Sequence, residues 1–251
     1  MQKISAVIIT FNEEDDIRDC LESVKWADEI VVVDSFSSDK TVDICKEYTT
    51  KIYQKKWQGY VEQRNFAIDN TSNKWILSID ADERLTPGLI KEINESLDND
   101  KGEYDGYYMP RHTYHLGKWI NHSGWYPDLK LRLFKKGKGR WAGGKVHEYV
   151  EIKGKTRNLK NNILHYSYKS LLDQYKRTKH YAKLMAEDMY SNGKRFSILG
   201  LIIVPPLELI KIFFVKLGFL DGIQGFIIAV MWSYYVFLRQ VNLLKLSLRQ
   251  K

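Results

Sequence analysis

The first hundred residues alternate short, nearly uncharged runs with stretches whose apolar side chains recur every three to four positions, and few architectures tolerate that alternation. Residues 4–9 predict a buried strand. Asn12 then stands where it can cap a helix in which Ile17, Cys20, Leu21 and Val24 fall at i, i+3, i+4 and i+7, with Glu13, Glu14, Asp15 and Asp16 in the favourable first turn. Residues 30–33 predict a second strand ending at Asp34. Ser37 or Ser38 starts the next helix, through Val42 and Cys45, and residues 52–53 give a short third strand. A helix over 60–69 leads to a strand over 75–79 that ends at Asp80. Thr86-Pro87 then supplies a cap and first position for a helix carrying Leu89, Ile90, Ile93 and Leu97. Strands alternating with helices predict an α/β chain with a mainly parallel sheet flanked by helices.

Residues 101–165 change character: glycines, aromatics and short β-like runs such as 130–134 indicate an irregular sheet with long loops, the usual home of a substrate site. Among the aromatics of 104–126, most are expected to fill a core, with Trp125 and Tyr126 the candidates for stacking on a sugar. A helical pattern returns over 170–190, with Tyr175, Tyr181, Leu184 and Met185 broadly on one side. Residues 198–238 hold only four charged side chains, Glu208, Lys211, Lys216 and Asp221. The uncharged run 222–238 is seventeen residues, at the lower edge of a spanning helix, and Pro205-Pro206 breaks the stretch before it. Monotopic association with an anionic membrane surface fits this pattern better than two clean spans, and a buried helical subdomain is the soluble alternative. The expected division is 1–100, 101–165 and 166–251.

Charge narrows the function. Residues 1–100 carry 12 basic and 21 acidic side chains, residues 101–165 carry 14 and 5, and residues 166–251 carry 13 and 5, so the net +8 conceals an acidic front. Such a front argues against a nucleic-acid binder. Cys20 and Cys45 offer no disulfide framework, and the N-terminal apolar run is too short for a signal peptide, which implies a cytoplasmic chain.

Acidic side chains stand at the ends of two predicted strands: Asp34 after the second, and Asp80-Ala81-Asp82-Glu83 after the fourth. The carboxyl ends of parallel strands form the ligand crevice, so these carboxylates lie where a nucleotide would. Asp80 and Asp82 can both turn toward one divalent cation that neutralises a diphosphate.

Four pieces follow one another here: Ser5-Ala6-Val7-Ile8-Ile9-Thr10-Phe11-Asn12-Glu13; Val31-Val32-Val33-Asp34-Ser35 with Ser38-Asp39-Lys40-Thr41; Gln63-Arg64-Asn65; and Ile79-Asp80-Ala81-Asp82-Glu83. In this order and spacing the chain resembles the family 2 glycosyltransferases of GT-A fold. Arg132-Leu133-Phe134, Val146-His147-Glu148 and Leu220-Asp221-Gly222 with Gly225-Phe226 are similar to a bacterial subgroup related to lipopolysaccharide-core β-1,4-glucosyltransferases. The resemblance implies that Thr10, Asn12 and Glu13 line the base and ribose pocket and that Asp34 accepts a hydrogen bond from uracil. It places Arg64 near the base or diphosphate, and gives Asp80 and Asp82 the ribose and a diphosphate bound to Mn²⁺ or Mg²⁺. Inverting transfer needs a base opposite the leaving group. Glu148 is the candidate, with His147 orienting it, binding the acceptor or touching the diphosphate. Arg132 and His165 are second-line candidates for phosphate or acceptor contacts.

These features imply a metal-dependent inverting glycosyltransferase at the cytoplasmic face of the inner membrane, moving a sugar from UDP-glucose or a relative to a lipid-linked saccharide such as lipopolysaccharide core. The alternatives are transfer to a polyprenyl phosphate, an aspartyl-phosphate hydrolase, and a catalytically dead nucleotide-binding partner protein. The sequence leaves the oligomeric state open.

Overall fold

The computed structural model describes residues 2–144 and 148–248, so His147 lies outside the described residues. They form two compact units: residues 2–111, 128–143 and 148–165 in the first, and residues 112–127, 144 and 166–248 in the second.

The first unit begins as the alternation predicts: β1 (Ile4–Thr10), α1 (Ile17–Val24), β2 (Glu29–Asp34), α2 (Thr41–Lys46), β3 (Ile52–Gln54), α3 (Tyr60–Asp69) and β4 (Trp75–Asp80). A short β5 (Glu83–Leu85) precedes α4 (Pro87–Asn99), whose first turn is capped by the Thr86 hydroxyl accepting from Leu89 N at 3.1 Å. Then come β6 (Gly106–His115), β7 (Lys118–Trp119), β8 (Asp128–Lys135), β9 (Gly139–Gly143), β10 (Glu148–Ile152), β11 (Thr156–Asn158) and β12 (Ile163–Tyr168).

The main sheet runs β3-β2-β1-β4-β8-β6-β12-β5, parallel through its first four strands and antiparallel where β4 meets β8 and β8 meets β6; β9 and β10 form a separate ribbon. β1 shows why its sequence is apolar throughout. Ile4, Ala6 and Ile8 join one buried cluster with Ile17, Leu21 and Leu89, while Val7 joins the cluster on the other face with Val33, Ala67 and Ile76. A strand covered on both faces cannot alternate with polar residues.

Two predicted helix starts differ. Asn12 does not cap α1: its backbone has φ +54°, outside the extended region a capping residue adopts, and its Oδ1 accepts from Ser38 N at 2.8 Å. Asn12 thus ties the end of β1 to the loop after β2, and α1 begins at Ile17. Ser37 and Ser38 do not start α2 either. Ser37 N donates to Asp34 Oδ2 at 2.9 Å, and the helix begins at Thr41, whose N–H donates to Asp39 Oδ1 at 3.0 Å.

In the second unit, β7 pairs with the last residues of β6 across a turn at Leu116-Gly117. α5 (Leu171–Ser191) is capped by Ser170. Three helical pieces follow: α6 (Ile198–Ile202), α7 (Val204–Ile210) and a π-helical turn Lys211–Val215. A 3₁₀ turn Gly218–Asp221 then leads to α8 (Ile223–Leu248). α5 packs on α8 with Gln174, Thr178, Ala182, Met185 and Ala186 buried, while Tyr175 is exposed and stacks on Tyr234. Of the residues grouped on one side by the sequence, Met185 is buried, and the small Ala182 and Ala186 beside it let two helices approach closely.

Asp221 is 1% exposed and gathers the loop that follows β7: Asn121 N at 3.1 Å, His122 N at 3.0 Å and Ser123 Oγ at 2.8 Å all donate to its carboxylate. A Cβ at Gly225 would stand 1.8 Å from Gly218 O, so only glycine fits there. The Leu220-Asp221-Gly222 and Gly225 pattern is thereby a packing device.

Ile198–Val215 and Ile223–Leu248 have mean hydropathies of 2.3 and 1.3, long and apolar enough to cross a membrane by length and composition. Ile198, Leu199, Ile202, Leu207, Phe214 and Ile223 are each more than half exposed. Within the first stretch Glu208 is paired, accepting from Lys211 Nζ at 2.9 Å and Trp232 Nε1 at 3.0 Å.

Candidate active site

Parallel pairing brings the first site residues together. Thr10 stands in register with Asp34 across β1 and β2, and Ile9 with Asp80 across β1 and β4, so three carboxyl ends form one edge. Along it Asp34 is fully buried and holds Ser37 N at 2.9 Å and Gln54 Nε2 at 3.4 Å. Gln63 reaches it from α3, donating to Ser35 Oγ at 2.9 Å and Lys55 O at 3.0 Å. Thr10 Oγ1 and Gln63 Oε1 are buried without a hydrogen-bond partner among the described residues. Glu13 N donates to Thr41 Oγ1 at 2.8 Å, which with Asn12 fixes the two loops bordering this edge.

Beyond Asp34 lies a network of guanidinium and carboxylate groups. Asp80 Oδ1 accepts from Arg64 Nη2 and Oδ2 from Arg132 Nη2, both at 2.6 Å. Arg132 Nη2 also donates to Glu83 Oε1 at 2.7 Å, and Glu83 Oε2 accepts from Asp80 N at 3.1 Å. Arg111 lies 3.4 Å from Glu83 and donates to Asp128 Oδ2 at 2.7 Å. Arg64 Nη1 donates to Glu148 Oε1 at 3.0 Å, linking α3 to β10, while Glu148 Oε2 has no partner among the described residues. The Arg64 guanidinium lies 4.1 Å from the Trp141 ring, which excludes water from one of its faces.

Burial alone would disfavour ionisation of Asp80, but Arg132, Arg64 and Arg111 overcome it and hold the carboxyl well below the ordinary carboxylate range. Burial likewise opposes the charge of Arg132, and Asp80 and Glu83 prevail, so the guanidinium is held above its usual value. Asp80 is therefore an anion with both oxygens engaged, unlike the free nucleophile an aspartyl-phosphate hydrolase needs.

Two features leave room for an anionic ligand and a cation. Arg64 Nε and Arg132 Nε and Nη1 are buried without partners among the described residues, an expensive state for donors on charged groups. Asp80, Asp82, Glu83, Asp128 and Glu148 against Arg64, Arg111 and Arg132 give five formal negative charges to three positive, a net −2. A diphosphate added to that balance calls for a divalent cation. Asp80, expected to share a cation with Asp82, has both oxygens on guanidinium groups, whereas Asp82 Oδ2 and His165 Nε2 face each other at 3.4 Å with a donor set that fits a divalent cation. Among the described residues no group of three His, Cys, Asp or Glu side chains is arranged to hold a metal alone.

The structure thus gathers Thr10, Asn12, Glu13 and Asp34 along one edge, and Arg64, Asp80, Arg132 and Glu148 in one network, with Asp82 beside His165. Glu83, read from the sequence only as the last member of the acidic run Asp80–Glu83, accepts from Arg132 here; the sequence did not single out Arg111 or Asp128, and neither carries a local signal.

Residues 5–152 match the glycosyl transferase family 2 profile. A lipopolysaccharide core biosynthesis glycosyltransferase, LpsC of Rhizobium meliloti, is 32% identical over 94% of this chain and 89% of its own length. An uncharacterized glycosyltransferase of Rickettsia typhi is 33% identical over 100% of this chain and 90% of its own. Among solved structures, S. aureus TarS 1-349 aligns over 99% of this chain and 91% of that chain with a TM-score of 0.50 at 16% identity, a likeness of fold. With a profile match over more than half the chain and relatives aligned almost end to end, this chain belongs to glycosyl transferase family 2, and it is a glycosyltransferase of GT-A fold.

Proposed function

We propose that this protein is a metal-dependent, inverting transferase that moves a sugar from a UDP-linked donor to a lipid-linked saccharide of the bacterial envelope. The observation that carries the reading is the set of buried, unpartnered guanidinium donors of Arg132 and Arg64 beside Asp80 and Asp82. A sugar diphosphate supplies the acceptors those donors lack. The lipopolysaccharide-core name of the Rhizobium relative supports the acceptor class, and the TarS structure solved with UDP-GlcNAc supports a uridine diphosphate donor.

In this reading Asp34 and Thr10 receive the base, and Arg132 and Arg64 orient the diphosphate. Asp82 and His165 hold a divalent cation, which when bound neutralises charge on the departing diphosphate. Glu148 takes the proton of the attacking hydroxyl at Oε2, while Arg64 fixes Oε1 and so the direction in which Oε2 points. The exposed Ile198–Val215 and Ile223–Leu248 faces support monotopic docking, with Lys211 and Lys216 near anionic head groups and the Glu208 charge paired. UDP release is to be measured with a panel of UDP-sugars, Mn²⁺ or Mg²⁺, and lipopolysaccharide-precursor glycolipid as acceptor. One donor is expected to turn over with the glycolipid; turnover only with a polyprenyl phosphate, or with nothing while UDP still binds, would refute the acceptor class.

A further inference from the structure

Five ring side chains of the second unit belong to none of its hydrophobic clusters. His112 and Tyr114 lie two apart on β6, on the face opposite the buried Thr113 and His115. Trp119 stands in register with Tyr114 on β7, and Tyr126 and Tyr166 complete the set. Successive centroids are close: His112 to Tyr126 4.6 Å, His112 to Trp119 5.0 Å, Trp119 to Tyr114 5.1 Å, and Tyr166 to both Tyr114 and Trp119 5.6 Å. Every one is half-buried, and the interplanar angles run from 39° to 70°. The apolar core of this unit is built elsewhere, from Ile120, Ile212, Ile228 and Ala229. Every ring here carries a polar atom, and none is fully buried as Trp75 and Tyr107 of the first unit's core are. One of those atoms, His112 Nε2, is buried without a partner among the described residues.

We infer that His112, Tyr114, Trp119, Tyr126 and Tyr166 form a saccharide platform that holds the acceptor, an inference that rests on the transferase reading above. Half-exposed rings offer flat faces to the C–H surface of a pyranose, and hydroxyl and imidazole groups at their edges meet sugar hydroxyls. The rings differ from the exposed aliphatic and phenyl side chains of 198–226, which carry no hydroxyl and suit hydrocarbon.

The test compares the full chain with Trp119→Ala and Trp119→Phe by saturation-transfer NMR, using methyl β-glucopyranoside, methyl β-galactopyranoside and methyl α-mannopyranoside with UDP present. At least one glycoside is expected to show ring-proton enhancement with the wild type and Trp119→Phe, and about fivefold weaker binding to Trp119→Ala. UDP affinity by calorimetry stays equal in all three. Unchanged glycoside binding in Trp119→Ala, or none to a wild type that binds UDP, overturns the platform. So does loss of Trp119→Ala flotation on phosphatidylethanolamine–phosphatidylglycerol vesicles with glycoside signals intact, which assigns the rings to the membrane. A wild type that fails to bind UDP refutes the donor site first, and the acceptor assignment with it.

Discussion

Arg132→Met removes the centre of the charged network while keeping a long side chain in its place. Arg132 is 2% exposed, and its Nη2 serves Asp80 at 2.6 Å and Glu83 at 2.7 Å. Asp80 keeps Arg64, but Glu83, fully buried, is left with Arg111 at 3.4 Å and the Asp80 N–H. Breaking a buried pair by removing one partner costs about 3–5 kcal/mol, because the remaining charge stays out of water. For a unit of this size that lowers the melting temperature by roughly 10 °C. Urea unfolding followed by tryptophan fluorescence at neutral pH measures it, and Arg132→Met with Glu83→Gln is the control. Neutralising Glu83 removes the uncompensated charge, so the double variant recovers about half the loss. A single variant within about 1 kcal/mol of wild type, or a double variant less stable than the single, would refute the assignment of Arg132 as the counter-ion of Glu83.

Asp221→Asn leaves one carbonyl oxygen where two oxygens serve the 121–123 loop, and is expected to cost about 3 kcal/mol in urea unfolding; a cost below about 1 kcal/mol contradicts the clasp. His115 is fully buried, and burial pushes its imidazole down to about 4. The unfolded chain takes up its proton near pH 6.5, so the stabilisation from the neutral ring is present above that value and is lost as pH falls toward 4. Wild type should therefore lose about 2 kcal/mol between pH 7 and 4.5 that His115→Phe does not lose; parallel pH profiles would show that this group is not responsible. Glu148→Gln keeps an acceptor for Arg64 but cannot take a proton, so UDP binding should persist while transfer falls at least about 100-fold. Transfer at the wild-type rate moves the base elsewhere.

The parallel half of the sheet was legible because β1, residues 30–33 of β2 and residues 75–79 of β4 are buried and carry no charge. Asp34 and Asp80 announce themselves by terminating such runs. The antiparallel half resisted reading: Arg111 and Asp128 meet only because β8 pairs with β6, a register that no local pattern encodes. The same holds for His165, which reaches Asp82 because β12 pairs with β5. Asn12 misled because its side chain serves two roles with the same chemistry. An amide oxygen can cap a helix or accept from a distant loop, and only the backbone angle separates them.

The proposed UDP-binding edge is completed by a cation between Asp82 and His165. Calorimetric titration of UDP into the full chain, with and without Mn²⁺, for wild type and Asp82→Asn, tests it most directly. UDP should bind wild type at least about tenfold more tightly with Mn²⁺, and that gain should vanish in Asp82→Asn while metal-free affinity is retained. Equal affinity with and without Mn²⁺ in the wild type, or an undiminished gain in Asp82→Asn, would contradict it.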